Sequence, residues 1–446
     1  MKSPGEIFAD RLEEKEERDL APYALKSKER RSKLGEAFRE KPTKPPREYR
    51  TEYHRDRDRI LWSKCFKRLQ HKTQIFPHYV EDHYKRRLTH SLEVAQIATT
   101  IARALELNET ATEAIALGHD LGHTPFGHAG EKALNKILAN NFKEIKTKAA
   151  HCPIPILGFD HCVHGIESVS RIEKEYSAET GHGGLNLTFD VRDGILKHMY
   201  ERERDEERPF SNIPEVVKFA KYEIYGDNKS SLEAQCVHFA DKVGYLFGDI
   251  EDGIRSNILE CKELNDDPFV VELRKRFKKY RDDSIALKRK EDFVSFRSKA
   301  LTTLILDCIE NAIENLKKSP FGNVDDVLLS NERVIFVCDD LKESWEAFYE
   351  KWMRGNLFKN ELVMACTFKA EKIVADLFKA YFEVEDQSLI KKTYRGHCRK
   401  AYQDVHNSDE DLFKLILIRN YISGMTDAFA TNQHARLFVA TERIRL

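Results

Sequence analysis

Few residues in this chain can stop a helix. It carries 20 glycines and 13 prolines in 446 residues, both below average usages of roughly 7% and 5%, so helix breakers and turn formers are scarce together. The chain therefore reads as mostly α-helical. A hydrophobic content of 41% supports a sizeable core, folded as one large domain or two interlocked ones.

Charged residues make up 33% but the formal net charge is only -1. No global field draws the protein to nucleic acid or membrane, and any anion site is local. Nine cysteines without a Cys-x-x-Cys pair argue against a disulfide framework and a cysteine-rich zinc module; a reducing cytoplasm fits this usage. Met1 to Asp19 is too charged for a signal peptide, and no uninterrupted apolar run approaches a bilayer span. The expectation is a soluble protein with no membrane partner.

Residues 1–50 mix Lys, Arg and Glu with few apolar anchors and end in Lys41-Pro-Thr-Lys-Pro-Pro46, which reads as a charged arm closed by a helix-incompatible linker. Residues 51–285 form the expected core, and residues 286–446 read as further amphipathic helices packed on it. Twelve of the 17 histidines lie between His71 and His198, which places the chemistry in the core. Leu92, Ala95, Ala98, Ala102 and Leu105 have helical spacing, and Thr110-Ala-Thr-Glu113 predicts a capping box opening a second helix that ends at Gly118-His119-Asp120. A loop follows around Pro153 and Pro155, then a helix near His164 to Tyr176 and a Gly181-His-Gly-Gly184 turn. No internal repeat is present.

Four groups recur in the right order for one metal site: His90 opening a helix, His119-Asp120 closing the next, and Asp241 far downstream. Imidazole nitrogen with carboxylate oxygen suits Mn, Fe, Zn, Co or Ni better than Mg alone, and four protein ligands leave positions open for water and a substrate oxygen. A lone histidine at a helix end is more often a cap or a surface residue. What shifts the balance is the stretch His119-Asp-Leu-Gly-His123-Thr-Pro-Phe-Gly-His128-Ala-Gly-Glu131, with three imidazoles and two carboxylates in thirteen residues. His119 and His123 have the i, i+4 spacing of a zinc pair, but Gly122 and Pro125 interrupt that helix. His123, His128 and Glu131 read better as groups around a metal-bound reaction centre, with His128 and Glu131 three apart and able to pair.

These stretches, with Arg55-Asp-Arg-Asp-Arg-Ile60, Arg68-Leu-Gln-His-Lys-Thr-Gln-Ile-Phe76, Arg87-Leu-Thr-His-Ser-Leu-Glu-Val-Ala95, Ala240-Asp-Lys-Val-Gly-Tyr245 and Tyr421-Ile-Ser-Gly-Met-Thr-Asp427, carry a resemblance over nearly the whole chain after the arm. The chain resembles the dGTPase family of HD-superfamily deoxynucleoside triphosphate triphosphohydrolases, related to the vertebrate HD-domain dNTPase with a sterile alpha motif. The resemblance implies an all-α HD-domain core with additional C-terminal helices. It implies hydrolysis of a dNTP to deoxynucleoside and triphosphate at a divalent metal held by His90, His119, Asp120 and Asp241. By the same resemblance His128 and Glu131 are the catalytic dyad, His123 lies near the α-phosphate, Gln74 contacts the deoxyribose 3′-hydroxyl, Arg87 holds phosphate, and Tyr245 with Asp249 encloses the sugar. Homo-oligomers, tetrameric or hexameric, and a nucleotide effector belong to the same analogy.

Asp241, Tyr245 and Asp249 are spaced i, i+4, i+8 along one helix face, which agrees with that assignment. Arg87, one turn before His90, sits where a helix N-terminus also favours phosphate; the plainer reading is a solvated charge in Lys85-Arg86-Arg87. Lys197 is a further phosphate contact by position, though one helical lysine is usually surface. The family pattern Phe-x-His followed by Ser-x-x-Arg meets two histidines here: Phe159 favours His161, whereas Ser168 favours His164, which is taken as the catalytic-site member. Two rivals stand beside this reading. Other HD hydrolases act on nucleoside monophosphates, cyclic dinucleotides or guanosine tetraphosphate, and a regulatory protein could bind single-stranded nucleic acid through Arg55–Arg59 and Lys64–Lys72. The interleaved apolar residues make those basic stretches helices with a solvated face.

Overall fold

The computed structural model describes residues 3–41, 49–74, 85–142, 156, 158–174, 176, 183–198, 230–280, 285–330, 332–384 and 386–440. The linker residues 42–46, Ile75 and Phe76, Pro153 and Pro155, and Gly181-His182 lie outside them. The described residues are helical, and their only extended pairings are isolated bridges, Arg39 with Thr188 and Thr73 with Arg86. None of these helices is long and apolar enough to cross a membrane.

The N-terminal segment forms α1 (Pro4–Asp19) and α2 (Ser27–Leu34). Its composition predicts an arm, but it packs against the body: Ala24 and Leu25 are fully buried. Arg30 donates to Asp190 at 2.6 Å, and Arg39 meets Glu52 and Asp56 at 2.8 and 2.7 Å. Charges that read as solvated are paired in the interior with residues distant in sequence, where removing one partner strands the other.

The core follows as α3 (Glu52–Trp62), α4 (Arg87–Ala104), α5 (Glu109–Gly118), α6 (His128–Asn141), α7 (His161–Glu167), α8 (Phe189–Lys197) and α9 (Leu232–Arg255). The long α9 lies along α4 and α5. Val94, Ala98 and Ile101 of α4, Ala111, Ala114 and Ile115 of α5, and Val237, Ala240 and Val243 of α9 are all fully buried. The alanines allow close approach, while each large aliphatic side chain adds about 1.5–3 kcal/mol of burial. The cap of α5 is not the predicted Thr110: Asn108 Oδ1 accepts from Ala111 N at 3.0 Å, and Thr110 lies inside the first turn.

The C-terminal part contributes α10 (Pro268–Tyr280), α11 (Lys290–Lys318), α12 (Asp339–Phe348), α13 (Glu361–Glu383), α14 (Glu410–Ser423) and α15 (Asp427–Phe438). Phe293, Phe296, Trp345 and Phe348 join the same apolar cluster as α4, α5 and α9. A second cluster joins Leu134 and Leu138 of α6 to α13 and α14. Apolar packing thus divides the molecule elsewhere than at residue 285, and α6, which begins with His128, rests on the C-terminal helices.

Candidate metal centre and active site

Three helices that pack on one another bring the distant ligand candidates together. His90 lies in the first turn of α4, His119 caps α5 with Asp120 beyond it, and Asp241 projects from the middle of α9. His90 Nε2 is 2.8 Å from Asp241 Oδ1. His119 Nε2 is 3.6 Å from both Asp120 Oδ1 and Asp241 Oδ1. His119 Nδ1 donates to the Ala116 carbonyl at 2.6 Å, which fixes the tautomer and leaves Nε2 facing the carboxylates. That Nε2 is buried with no hydrogen-bond partner among the described residues. An orphaned imidazole nitrogen between two carboxylates is what a divalent cation would satisfy, so the residues present fit one.

The electrostatics agree. Burial alone would raise Asp241, but the neighbouring His119 and His90 imidazoles hold its carboxyl well below the usual range. Asp120 is likewise held well below that range, the Arg87 guanidinium and neighbouring imidazoles outweighing burial. Arg87, fully buried, donates to Asp120 Oδ2 at 3.0 Å.

A second group of imidazoles stands beside the first. The turn Phe126–Gly127 opens α6, both residues with positive φ, 63° and 56°. At Gly127 a side chain would also strike the Arg87 guanidinium, so only glycine fits. His128 Nδ1 then lies 3.1 Å from Glu131 Oε2, and its Nε2 lies 3.1 Å from the Tyr245 hydroxyl. His123 Nε2 is 3.1 Å from Asp120 Oδ1, which links the two groups. Burial, then Arg87 and His161, push the His123 imidazole well below its ordinary pKa, so it is neutral.

His161 and His164, between which the sequence pattern divides, make different contacts. His161 Nδ1 lies 3.0 Å from Glu131 Oε1, and its ring stacks on His123 with centroids 3.8 Å apart. His164 spends Nδ1 on the Gly122 carbonyl at 3.0 Å and Nε2 on the Ser423 hydroxyl at 2.9 Å, with burial lowering its pKa to about 4. The structure thus brings His161, and not His164, to Glu131 and His123, while His164 ties the histidine loop to α14. Lys197 is not brought to the imidazoles by any contact among the described residues; it pairs with Asp193 on its own helix at 2.8 Å. Gln74 is buried with neither amide atom hydrogen-bonded among the described residues. Asp249, two turns beyond Asp241, is fully buried with both carboxyl oxygens in the same condition, and burial followed by Asp252 pushes its pKa well up.

Sequence reasoning missed the groups that hold this arrangement. Asp427 Oδ1 accepts from Phe126 N and Oδ2 from Thr73 N, each at 2.8 Å. Lys72 donates to the carbonyls of His123 and Ser423. The C-terminal helices thereby clamp the histidine loop and the strand of chain leading to Gln74. The signal was present, since Asp427 closes one of the matching stretches, but its partners lie 301 and 354 residues away.

Comparison with known proteins agrees with this architecture. Residues 87–246 match the HD domain, and residues 344–436 match the phosphohydrolase-associated domain. A deoxyguanosinetriphosphate triphosphohydrolase-like protein of Ralstonia pickettii is 35% identical over 419 residues, 94% of each chain. Proteins of the same description from Brucella ovis and Bartonella tribocorum are each 34% identical, over 95% and 87% of this chain and 96% and 90% of theirs. HD domains bind divalent metals, and the chain holds His and Asp clusters suited to one. It is an HD-type phosphohydrolase, and it belongs to the deoxyguanosinetriphosphate triphosphohydrolase-like family.

Proposed function

We propose that the protein hydrolyses deoxynucleoside triphosphates to deoxynucleoside and inorganic triphosphate, with His90, His119, Asp120 and Asp241 holding one divalent cation. The observation that carries the substrate assignment is the α9 face. Beyond the cation ligand Asp241 it offers the Tyr245 ring and then Asp249, a buried carboxyl without a hydrogen-bond partner among the described residues. A buried polar group in that condition costs about 1–3 kcal/mol, which a sugar hydroxyl would relieve. Gln74 is the second such group, and both suit the 3′-hydroxyl of a deoxyribose.

The cation, when bound, supplies charge stabilisation to phosphate oxygens and lowers the pKa of bound water. Arg87 neutralises phosphate charge from a rigid, desolvated position. His128, oriented by Glu131 Oε2, passes a proton between the attacking water and the leaving 5′-oxygen. His161 holds the other oxygen of Glu131, so the carboxylate keeps its orientation while His128 passes the proton. Neutral His123 sits between Asp120 and the dyad, beside the path of the α-phosphate.

Purified protein with Mn is incubated with each deoxynucleotide and ribonucleotide separately, dGTP first because the relatives' name points to it, and the products are separated by chromatography. Triphosphate with deoxynucleoside is the expected pair. Release of orthophosphate or pyrophosphate would assign the chain to another branch of HD hydrolases. Salt-dependent binding of single strands without any turnover would make it a binding protein.

A further inference from the structure

Besides bracing Glu131 in that reaction, His161 belongs to a second cluster of ligand-type side chains. His161 and Cys162 open α7, and His198 follows α8; all three are buried, and their donor atoms lie within 4.8 Å of one another. Each imidazole is already oriented from behind. His161 Nδ1 is engaged by Glu131 at 3.0 Å and His198 Nδ1 by the Ile195 carbonyl at 2.7 Å. Each ring therefore presents Nε2 to the cluster, and an ion there would displace any proton that His161 Nε2 carries. This is the outer-shell arrangement that metal-binding histidines use, one nitrogen tied to a carboxylate or carbonyl and the other on the ion. His161 Nε2 lies 3.5 Å from Cys162 Sγ. A nitrogen and a sulfur on one tetrahedral zinc, at about 2.0 and 2.3 Å from it, are themselves about 3.5 Å apart.

We propose that His161, Cys162 and His198 form a second cation site, separate from the four-ligand centre and selective for a thiophilic divalent ion of the zinc type. The thiol of Cys162 releases its proton to solvent as the thiolate binds, and water completes the tetrahedron. The sulfur ligand discriminates against Mn and Mg, which prefer oxygen. Because His161 would carry this ion on Nε2, its Nδ1–H becomes a stronger donor to Glu131 and draws carboxylate charge away from His128. The site is thus inhibitory, and a thiophilic ion slows the reaction that an oxygen-preferring ion supports.

The test uses the full chain stripped of metal and titrated with Co2+, following the thiolate-to-cobalt charge-transfer absorption and the cobalt content per chain, neither of which depends on the substrate. The parent takes two ions and shows the band. Cys162→Ser and His198→Asn each lose the band and one ion, while Asp241→Ala loses one ion and keeps the band. A parent without the band, or a band that persists in Cys162→Ser, would overturn the site, and a band lost in Asp241→Ala would show that it is not separate. Zinc added to the Mn-loaded parent lowers turnover and does so far less in Cys162→Ser; equal inhibition of both would remove the regulatory role. If no nucleotide is turned over at all, the functional reading fails while the absorption still decides the site.

Discussion

The two groups of imidazoles differ in how the fold holds them. His90, His119, Asp120 and Asp241 are buried on helices α4, α5 and α9, whose apolar faces lock together. His128, by contrast, has a side chain 44% exposed, at the start of a helix that rests on the C-terminal cluster. On the proposed reading the candidate cation ligands sit in the tightly packed core, whereas the proposed proton-transfer pair depends on a turn with two positive-φ residues pinned from outside by Asp427. Separating them this way keeps the ligand geometry rigid while leaving His128 open to substrate and solvent.

The largest expected effect comes from the packed half. Asp241→Ala leaves the His90 and His119 nitrogens without their shared carboxylate. Bound Mn should fall to background, and turnover by about 10³-fold or more, several kcal/mol of lost charge stabilisation. Elemental analysis of the purified variant checks this, and full metal content would break the four-ligand assignment. His128→Ala tests the open half. It should keep its metal and its melting temperature, since no core contact is lost, and lose about 10²–10⁴-fold in turnover. A variant that sheds metal would show that the two halves are one site rather than two.

Asp427→Asn probes the clamp. An amide offers one acceptor oxygen where the carboxylate uses two, so either Phe126 N or Thr73 loses its bond, at a cost of about 1–3 kcal/mol. The expected result is a fall of roughly 10-fold in kcat with metal content unchanged. A loss confined to thermal stability would make the clamp purely structural.

What the sequence made legible follows the range of the interactions involved. The face shared by Asp241, Tyr245 and Asp249 depends only on helix periodicity and is directly legible, and the order of ligand-type residues along the chain anticipates that His90, His119, Asp120 and Asp241 lie together. The cap of α5 was misread because Thr-x-x-Glu spacing recurs one step inside the helix that Asn108 already caps. The choice between His161 and His164 turned on Asp160, whose side chain caps α7 at His161, and on Ser423, a partner 259 residues away. The N-terminal segment was misread for the same reason, since Arg30 and Arg39 find acids that no local pattern reveals.

A third buried acid on α9 gauges what the imidazoles do for Asp241. Glu233, near the start of α9, is fully buried and among the described residues accepts only backbone N–H bonds, from Leu25 at 2.8 Å and Asn108 at 3.1 Å. Without a cationic partner, burial pushes its pKa from 4.5 to about 7. Because the folded value lies above the unfolded one, the associated stability is full below pH 4.5 and is lost as pH rises through about 7. The loss is at most about 3 kcal/mol above neutrality. Glu233→Gln keeps an acceptor for both N–H groups and removes the charge. It should unfold a few degrees higher than the parent at pH 8, with the gain vanishing at pH 4.5 and turnover unaffected. Melting curves across that range decide the matter: a gain independent of pH would mean that the carboxyl titrates alike in the folded and unfolded chain, and a loss at pH 8 that its charge is stabilised by the N-terminal segment it anchors.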